Sequence, residues 1–117
     1  MGGYISLFHL DREDVNHQTF AHVLREGKRE RERLVEFSIH LPDVENLSIV
    51  GNFNSWNPEH DFLTRGEDGT FRIRLHLRPG EYVYRYIADG KWILDTYNPN
   101  TRYSPVIEDL GSYIKIR

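Results

Sequence analysis

The 117-residue sequence predicts an all-β domain, a two-sheet antiparallel sandwich, behind a short N-terminal arm. Three observations predict it. From residue 34 onward, short runs alternate apolar with polar side chains, as half-buried strands do. Turn signals rich in Gly, Pro, Asn and Asp separate these runs at intervals of roughly 8–12 residues. The composition is 38% hydrophobic with no cysteine, so the core must come from packing alone. A chain of this length can bury about two-thirds of its unfolded surface, which makes that feasible. Many short strands with frequent turns indicate a sandwich of immunoglobulin-like type.

Taken in order, residues 1–33 form the arm and residues 34–117 the sandwich. The arm carries six basic and six acidic side chains and is neutral overall. Asp11 or Asp14 can cap a helix through Val15, Phe20, Val23 and Leu24, an imperfect apolar stripe that Gly27 ends. Lys28-Arg29-Glu30-Arg31-Glu32-Arg33 alternates in sign and reads as a solvated helix end or linker. The sandwich opens with Val35, Phe37 and Ile39 alternating with Glu36, Ser38 and His40, until Pro42-Asp43 turns the chain. Leu47 to Phe53 is a second, apolar strand. Phe71 to Leu77 alternates strictly and is the cleanest half-buried strand in the chain. Pro79-Gly80 turns it into Tyr82-Val83-Tyr84-Arg85-Tyr86-Ile87. Asp89-Gly90 is a two-residue hairpin signal, leading into Trp92-Ile93-Leu94. Ser112 to Ile116 closes the domain.

Charge and composition exclude several functions. A net charge of −3 gives no general attraction to nucleic acid or to acidic membranes. No apolar run reaches the ~20 residues of a membrane helix. The opening MGGYISLFHL has no basic n-region, so it does not read as a signal peptide. Lack of cysteine removes thiol nucleophiles and zinc ribbons, and fits a reducing, cytoplasmic setting. No catalytic constellation stands out. Asp89 and Asp95 flank Trp92 and are the best carboxylate pair for glycoside chemistry, but each has a structural explanation in a turn or loop. His17 and His22 lie five apart, the wrong spacing for two ligands on one helix face. Glu59-His60-Asp61 are adjacent in a loop and rarely converge on one ion. Neither a metal nor a cofactor is implied.

The aromatic residues carry more information. Six of seven tyrosines and both tryptophans fall between Trp56 and Tyr113. Trp56 lies in the polar loop Gly51-Asn52-Phe53-Asn54-Ser55-Trp56-Asn57-Pro58, and Trp92 follows a tight turn. An indole facing water suits the C–H face of a pyranose, while polar neighbours bond the sugar hydroxyls. With Tyr84 and Tyr86 in the core, strand alternation turns Arg85 outward near Trp92, where its planar fork can bond two hydroxyls.

Gly51-Asn52-Phe53-Asn54-x-Trp56, Pro79-Gly80-x-Tyr82-x-Tyr84-Arg85-Tyr86, Asp89-Gly90-Lys91-Trp92, Asp95 and Asn98-Pro99 occur in one order. In this the chain resembles the family 48 carbohydrate-binding modules. That family includes the glycogen-binding domain of AMP-activated protein kinase β subunits and the N-terminal early-set domains of isoamylases and branching enzymes. The resemblance covers residues 34–117. It implies a non-catalytic sandwich that binds α-1,4-linked glucan such as glycogen, maltodextrin or cyclodextrin, beside a glycogen-metabolism enzyme or regulatory protein. It puts the stacking pair on Trp56 and Trp92 and the basic donor on Arg85, with Lys91, Asn98 and Leu110 in the same site. Ile107 or Leu110 would supply an apolar prop. Gly111 stands where the family carries an Asn, so one amide contact is missing, and Gly111→Asn would restore it if the backbone tolerates a side chain. Gly66 stands where the kinase subunits carry a phosphorylatable Ser. The alternative reading is an early-set domain that docks on a protein and has kept the fold without the sugar site.

Overall fold

Apolar residues that recur every second position force one face of each strand inward, and two such faces close on each other here. The structure, a computed structural model, describes residues 21–26 and 32–117. Among the described residues nine strands follow in chain order: β1 (Ala21–Glu26), β2 (Arg33–His40), β3 (Leu47–Gly51), β4 (Thr64–Arg65), β5 (Thr70–Leu77), β6 (Gly80–Ala88), β7 (Lys91–Ile93), β8 (Thr101–Ser104) and β9 (Asp109–Ile116). They form one sheet ordered β1-β2-β5-β4 and a second ordered β3-β6-β9-β8, with β7 paired to β6. All pairings are antiparallel. Val35, Phe37 and Ile39 from one sheet meet Ile49, Tyr84, Tyr86, Ile114 and Ile116 from the other, all buried. Full burial of such side chains is worth about 1.5–3 kcal/mol each. The rings pack edge to face, Phe37 on Tyr84 at 5.2 Å and Tyr84 on Tyr86 at 5.8 Å.

One expectation is corrected. The helix drawn through Val15, Phe20, Val23 and Leu24 does not form at Val23 and Leu24, which lie in strand β1. Asp11, Asp14, Val15 and Phe20 lie outside the described residues. β1 pairs with β2 and buries Ala21 and Val23 against Phe37 and Val35, so residues 21–26 belong to the sandwich rather than to an arm ending at residue 33. The apolar stripe misled because the register slips between Val23 and Arg25, which breaks the period-2 pattern of a strand. β8 also went unseen. It is an edge strand whose Thr101, Arg102 and Tyr103 are exposed, so no apolar alternation marks it.

Polar residues fasten the segment between β7 and β8. The Tyr84 hydroxyl donates to Asp95 Oδ2 at 2.6 Å in the interior. Asp95 Oδ1 accepts from the Tyr97 amide, and the Asp95 amide donates to Ser112 Oγ. Asn98 Nδ2 donates to the Tyr113 carbonyl and to the Tyr84 hydroxyl oxygen. Burial pushes the Asp95 carboxyl above the usual carboxylate range, against the lowering effect of the Tyr84 and Tyr97 donors. Tyr86 contrasts with Tyr84, because its buried hydroxyl has no protein partner among the described residues.

The two tyrosines therefore respond oppositely to loss of the hydroxyl. Tyr84→Phe leaves a buried carboxylate short of a donor and should cost about 1–3 kcal/mol, whereas Tyr86→Phe should be neutral or stabilising. Urea unfolding at neutral pH checks both, and equal losses would contradict the assignment. The raised Asp95 value also fixes a sign. The folded state holds this proton at pH values where the unfolded chain has released it, so the contribution of Asp95 to stability falls as pH rises from about 4 through the raised value. The stability of the wild type relative to Asp95→Asn should decline across that window.

Candidate functional site

β6 changes its neighbour midway along its length, and the site lies at the change. On one side β3 pairs with Tyr84 to Ala88. On the other, β9 pairs with Gly80 to Tyr84 and β7 with Tyr86 to Ala88, so the two strands part at Arg85. Tyr84 and Tyr86 point into the core, which turns Arg85 onto the outer face. A cleft of about 380 Å³ opens there, lined by Arg85, Trp92, Ile107 and Asp109.

Each lining residue is positioned by local structure. Asp89 and Gly90 have φ of 48° and 86°, the tight hairpin that the Asp-Gly pair predicts, and it sets Trp92 opposite Ile87. Asp89 also accepts the Glu45 and Asn46 amides, so its carboxylate is committed to the turn. The Trp92 side of the cleft is open, with the residue 42% exposed. Arg85 is held more tightly. Its Nε donates to the Leu110 carbonyl at 2.7 Å, and Nη2 lies 3.2 Å from Asp109 Oδ2, with the side chain only 14% exposed. A fixed guanidinium keeps further N–H groups for a ligand at little entropic cost. Ile107 supplies an apolar wall. One face of the cleft can therefore stack a ring, and another can donate to hydroxyls.

The sequence-derived site residues separate into those this cleft gathers and those it does not. Trp92 and Arg85 meet. Of the two candidates for the apolar prop, Ile107 lines the cleft, while Leu110 is exposed nearby and contributes its carbonyl to Arg85. Lys91 is exposed and neighbours Trp92 in β7, so alternation gives it the opposite face. Asn98 is corrected. It is 5% exposed and its amide is spent on Tyr84 and Tyr113, which makes it a bolt in the fold and not a sugar contact. Trp56 does not line the cleft. It sits half-buried in its loop with its indole N–H enclosed and without a partner among the described residues. Asp109 escaped the sequence reading. Its only signal was an acidic residue two before Gly111, and the ion pair across strands is a product of register.

The loop carrying Trp56 is built by its asparagines. Asn54 Oδ1 accepts the Gly51 amide, while its Nδ2 donates to the Ile49 carbonyl and to Asp61. Asn52 Oδ1 accepts the Val83 amide, extending the ladder past the end of β3. Ser55 and Trp56 both take φ of 58°, a left-handed conformation that costs such residues roughly 1–2 kcal/mol each. His60 pairs with Asp61 at 2.8 Å, and no cluster of three metal-ligating side chains occurs among the described residues.

A two-sheet sandwich with an open aromatic and guanidinium cleft has the form of a carbohydrate-binding module. Residues 39–107 match the family described as the glycogen recognition site of AMP-activated protein kinase, more than half of the chain, and the chain belongs to that family. It is 33% identical over 51 residues to protein PTST homolog 2, chloroplastic, of Arabidopsis thaliana, covering 44% of this chain and 9% of that protein. To the 1,4-alpha-glucan branching enzyme GlgB of Bacillus cereus strain B4264 it is 31% identical over 120 aligned positions, 91% of this chain and 18% of the enzyme. The chain thus spans a fifth or less of the length of these relatives. A maltogenic amylase from S. marinus shares the fold, with a TM-score of 0.72 and 24% identity over 84% of this chain and 16% of that one.

Gly111 shows why the family amide cannot simply be restored. A Cβ there would lie 2.4 Å from Val83 Cγ1 and 3.1 Å from the Tyr84 carbonyl. Gly111→Asn, expected from sequence to tighten binding, should instead destabilise the domain by about 1–3 kcal/mol through overpacking. Thermal melts of Gly111→Ala and Gly111→Asn check this, and an unchanged midpoint in both would refute it.

Proposed function

We propose that this domain binds α-1,4-linked glucan, of the glycogen and maltodextrin type, without acting on it. The observation that carries the reading is the exposed Trp92 indole sharing one open cleft with the clamped Arg85 guanidinium. The indole offers a flat apolar surface to the C–H face of a glucosyl unit. The guanidinium donates to vicinal hydroxyls, and Ile107 closes the apolar side. Trp56 follows in the same loop position as the family's other stacking residue and serves as the outer contact for a longer chain. The best carboxylate pair argues against hydrolysis here, because Asp89 is spent on backbone amides and Asp95 is buried. The matches to a branching enzyme and to a PTST homolog support a role beside a glucan-processing partner.

Affinity is modest on this account. Stacking and each neutral hydroxyl bond net about 1 kcal/mol apiece against the cost of immobilising the sugar. A dissociation constant of roughly tens of micromolar to a millimolar results. Trp92→Ala should weaken maltoheptaose or β-cyclodextrin binding by at least about tenfold while the melting midpoint holds. Trp56→Ala should weaken binding to long chains more than to short ones. Titration calorimetry against maltoheptaose and a cello-oligosaccharide decides it. Equal heats for the two sugars, or release of reducing ends from maltoheptaose, would overturn the reading.

A further inference from the structure

The opposite sheet carries a second cleft, of about 320 Å³, lined by Ser38, Ile39, His40, Thr70, Arg72 and Tyr97. Ser38 and His40 are two apart on β2, so both side chains take its outer face. The register sets Arg72 opposite Ser38 and Thr70 opposite His40. Four polar side chains therefore form a two-by-two patch, built by strand pairing and not by loop placement. Tyr97 forms a flank, 39% exposed, on a loop pinned where its amide bonds Asp95 and where Asn98 bonds Tyr84 and Tyr113.

The chemistry of this lining differs from that of the first cleft. There a carboxylate, Asp109, already neutralises the guanidinium at 3.2 Å. Here, among the described residues, no carboxylate lines the cleft. Among the described residues the acid paired with Arg72 is Asp68, whose Oδ2 is 4.0 Å from Arg72 Nη2 and whose other oxygen accepts the Thr70 amide. His40 Nδ1 is 3.1 Å from Thr70 Oγ1, which leaves Nε2 as the ring's remaining hydrogen-bonding atom. A guanidinium, an imidazole and the Thr70 hydroxyl around one opening suit a tetrahedral oxyanion, since charge-assisted bonds to Arg are strong and directional. An exposed phenol ring on the rim suits the sugar that bears it.

We propose that this cleft binds a phosphate monoester on a sugar, with Arg72, His40 and Thr70 taking the phosphate and Tyr97 packing against the pyranose. The site is separate from the glucan cleft and would stand if that reading failed.

The test is amide chemical-shift titration of the whole chain with glucose 6-phosphate, inorganic phosphate and glucose. Expected are saturable shifts at residues 38–40, 70–72 and 97 with glucose 6-phosphate, weaker ones with phosphate and none there with glucose. Arg72→Ala should weaken glucose 6-phosphate binding by at least about tenfold. Tyr97→Ala should weaken it toward the affinity for inorganic phosphate. Asp68→Asn keeps an oxygen for the Thr70 amide but removes the competing charge, so it should tighten binding several-fold, which a merely structural role would not do. Trp92→Ala should leave these shifts unchanged. Equal responses to glucose and glucose 6-phosphate, no saturable shift at these residues, or indifference to Asp68→Asn would each overturn the proposal.

Discussion

The hydrogen bond from Tyr84 to Asp95 ties together parts of the chain that would otherwise separate. Tyr84 lies in the middle of β6, packed on Phe37 and Tyr86, with its hydroxyl bonded to Asp95 in the interior. Asp95 ends the excursion that begins at β7. Ser112 on β9 and the Asn98 amide meet the same pair. The bond therefore sets where β7 stops and where β9 takes over beside β6. Arg85 faces outward into that break, and the cleft exists because the break is held open. A buried carboxylate is an expensive way to do this. Its two donors, the Tyr84 hydroxyl on β6 and the Tyr97 amide in the loop after β7, offset that cost and help fix one path for the chain between β7 and β9.

Motif residues that look like a binding signature turn out to divide their labour. Asn52, Asn54, Asp89, Asp95 and Asn98 all spend polar atoms on backbone groups or on the side chains of Asp61 and Tyr84. Phe53 packs against Phe37 and Tyr82. What remains for a ligand is a small set: Trp92, the unengaged part of Arg85, Ile107 and the loop indole of Trp56. The bonds that shape these loops do not involve the Trp92 or Ile107 side chains that line the cleft.

Electrostatics give the two outer faces different characters. On the β6 face, Arg85 is matched by Asp109, and Arg102 is matched by Glu81 while lying 3.9 Å over the Tyr113 ring. Pairing with Arg102 holds the Glu81 carboxyl below its ordinary range. Charges balanced in this way suit a neutral ligand whose hydroxyls need directed donors. On the β2 and β5 face, Arg74 is paired with Glu36, but the Arg72 pairing is at the limit of an ion pair.

The strands were legible in the sequence wherever burial was one-sided, because period-2 alternation is itself the record of one wet and one dry face. β2, β5, β6 and β9 were read in this way, and the Asp-Gly hairpin followed from its demand for positive φ. Outward placement of Arg85 followed from its two tyrosine neighbours. β1 and β8 were not legible, since a register slip hides the alternation of one and exposure on both faces erases that of the other. The split of β6 between β7 and β9, the Arg85–Asp109 pair, the burial of Asn98 and the wall that Val83 raises against a side chain at Gly111 depend on which strands lie side by side. Local sequence records the face a residue takes; only the tertiary pairing decides what stands across from it.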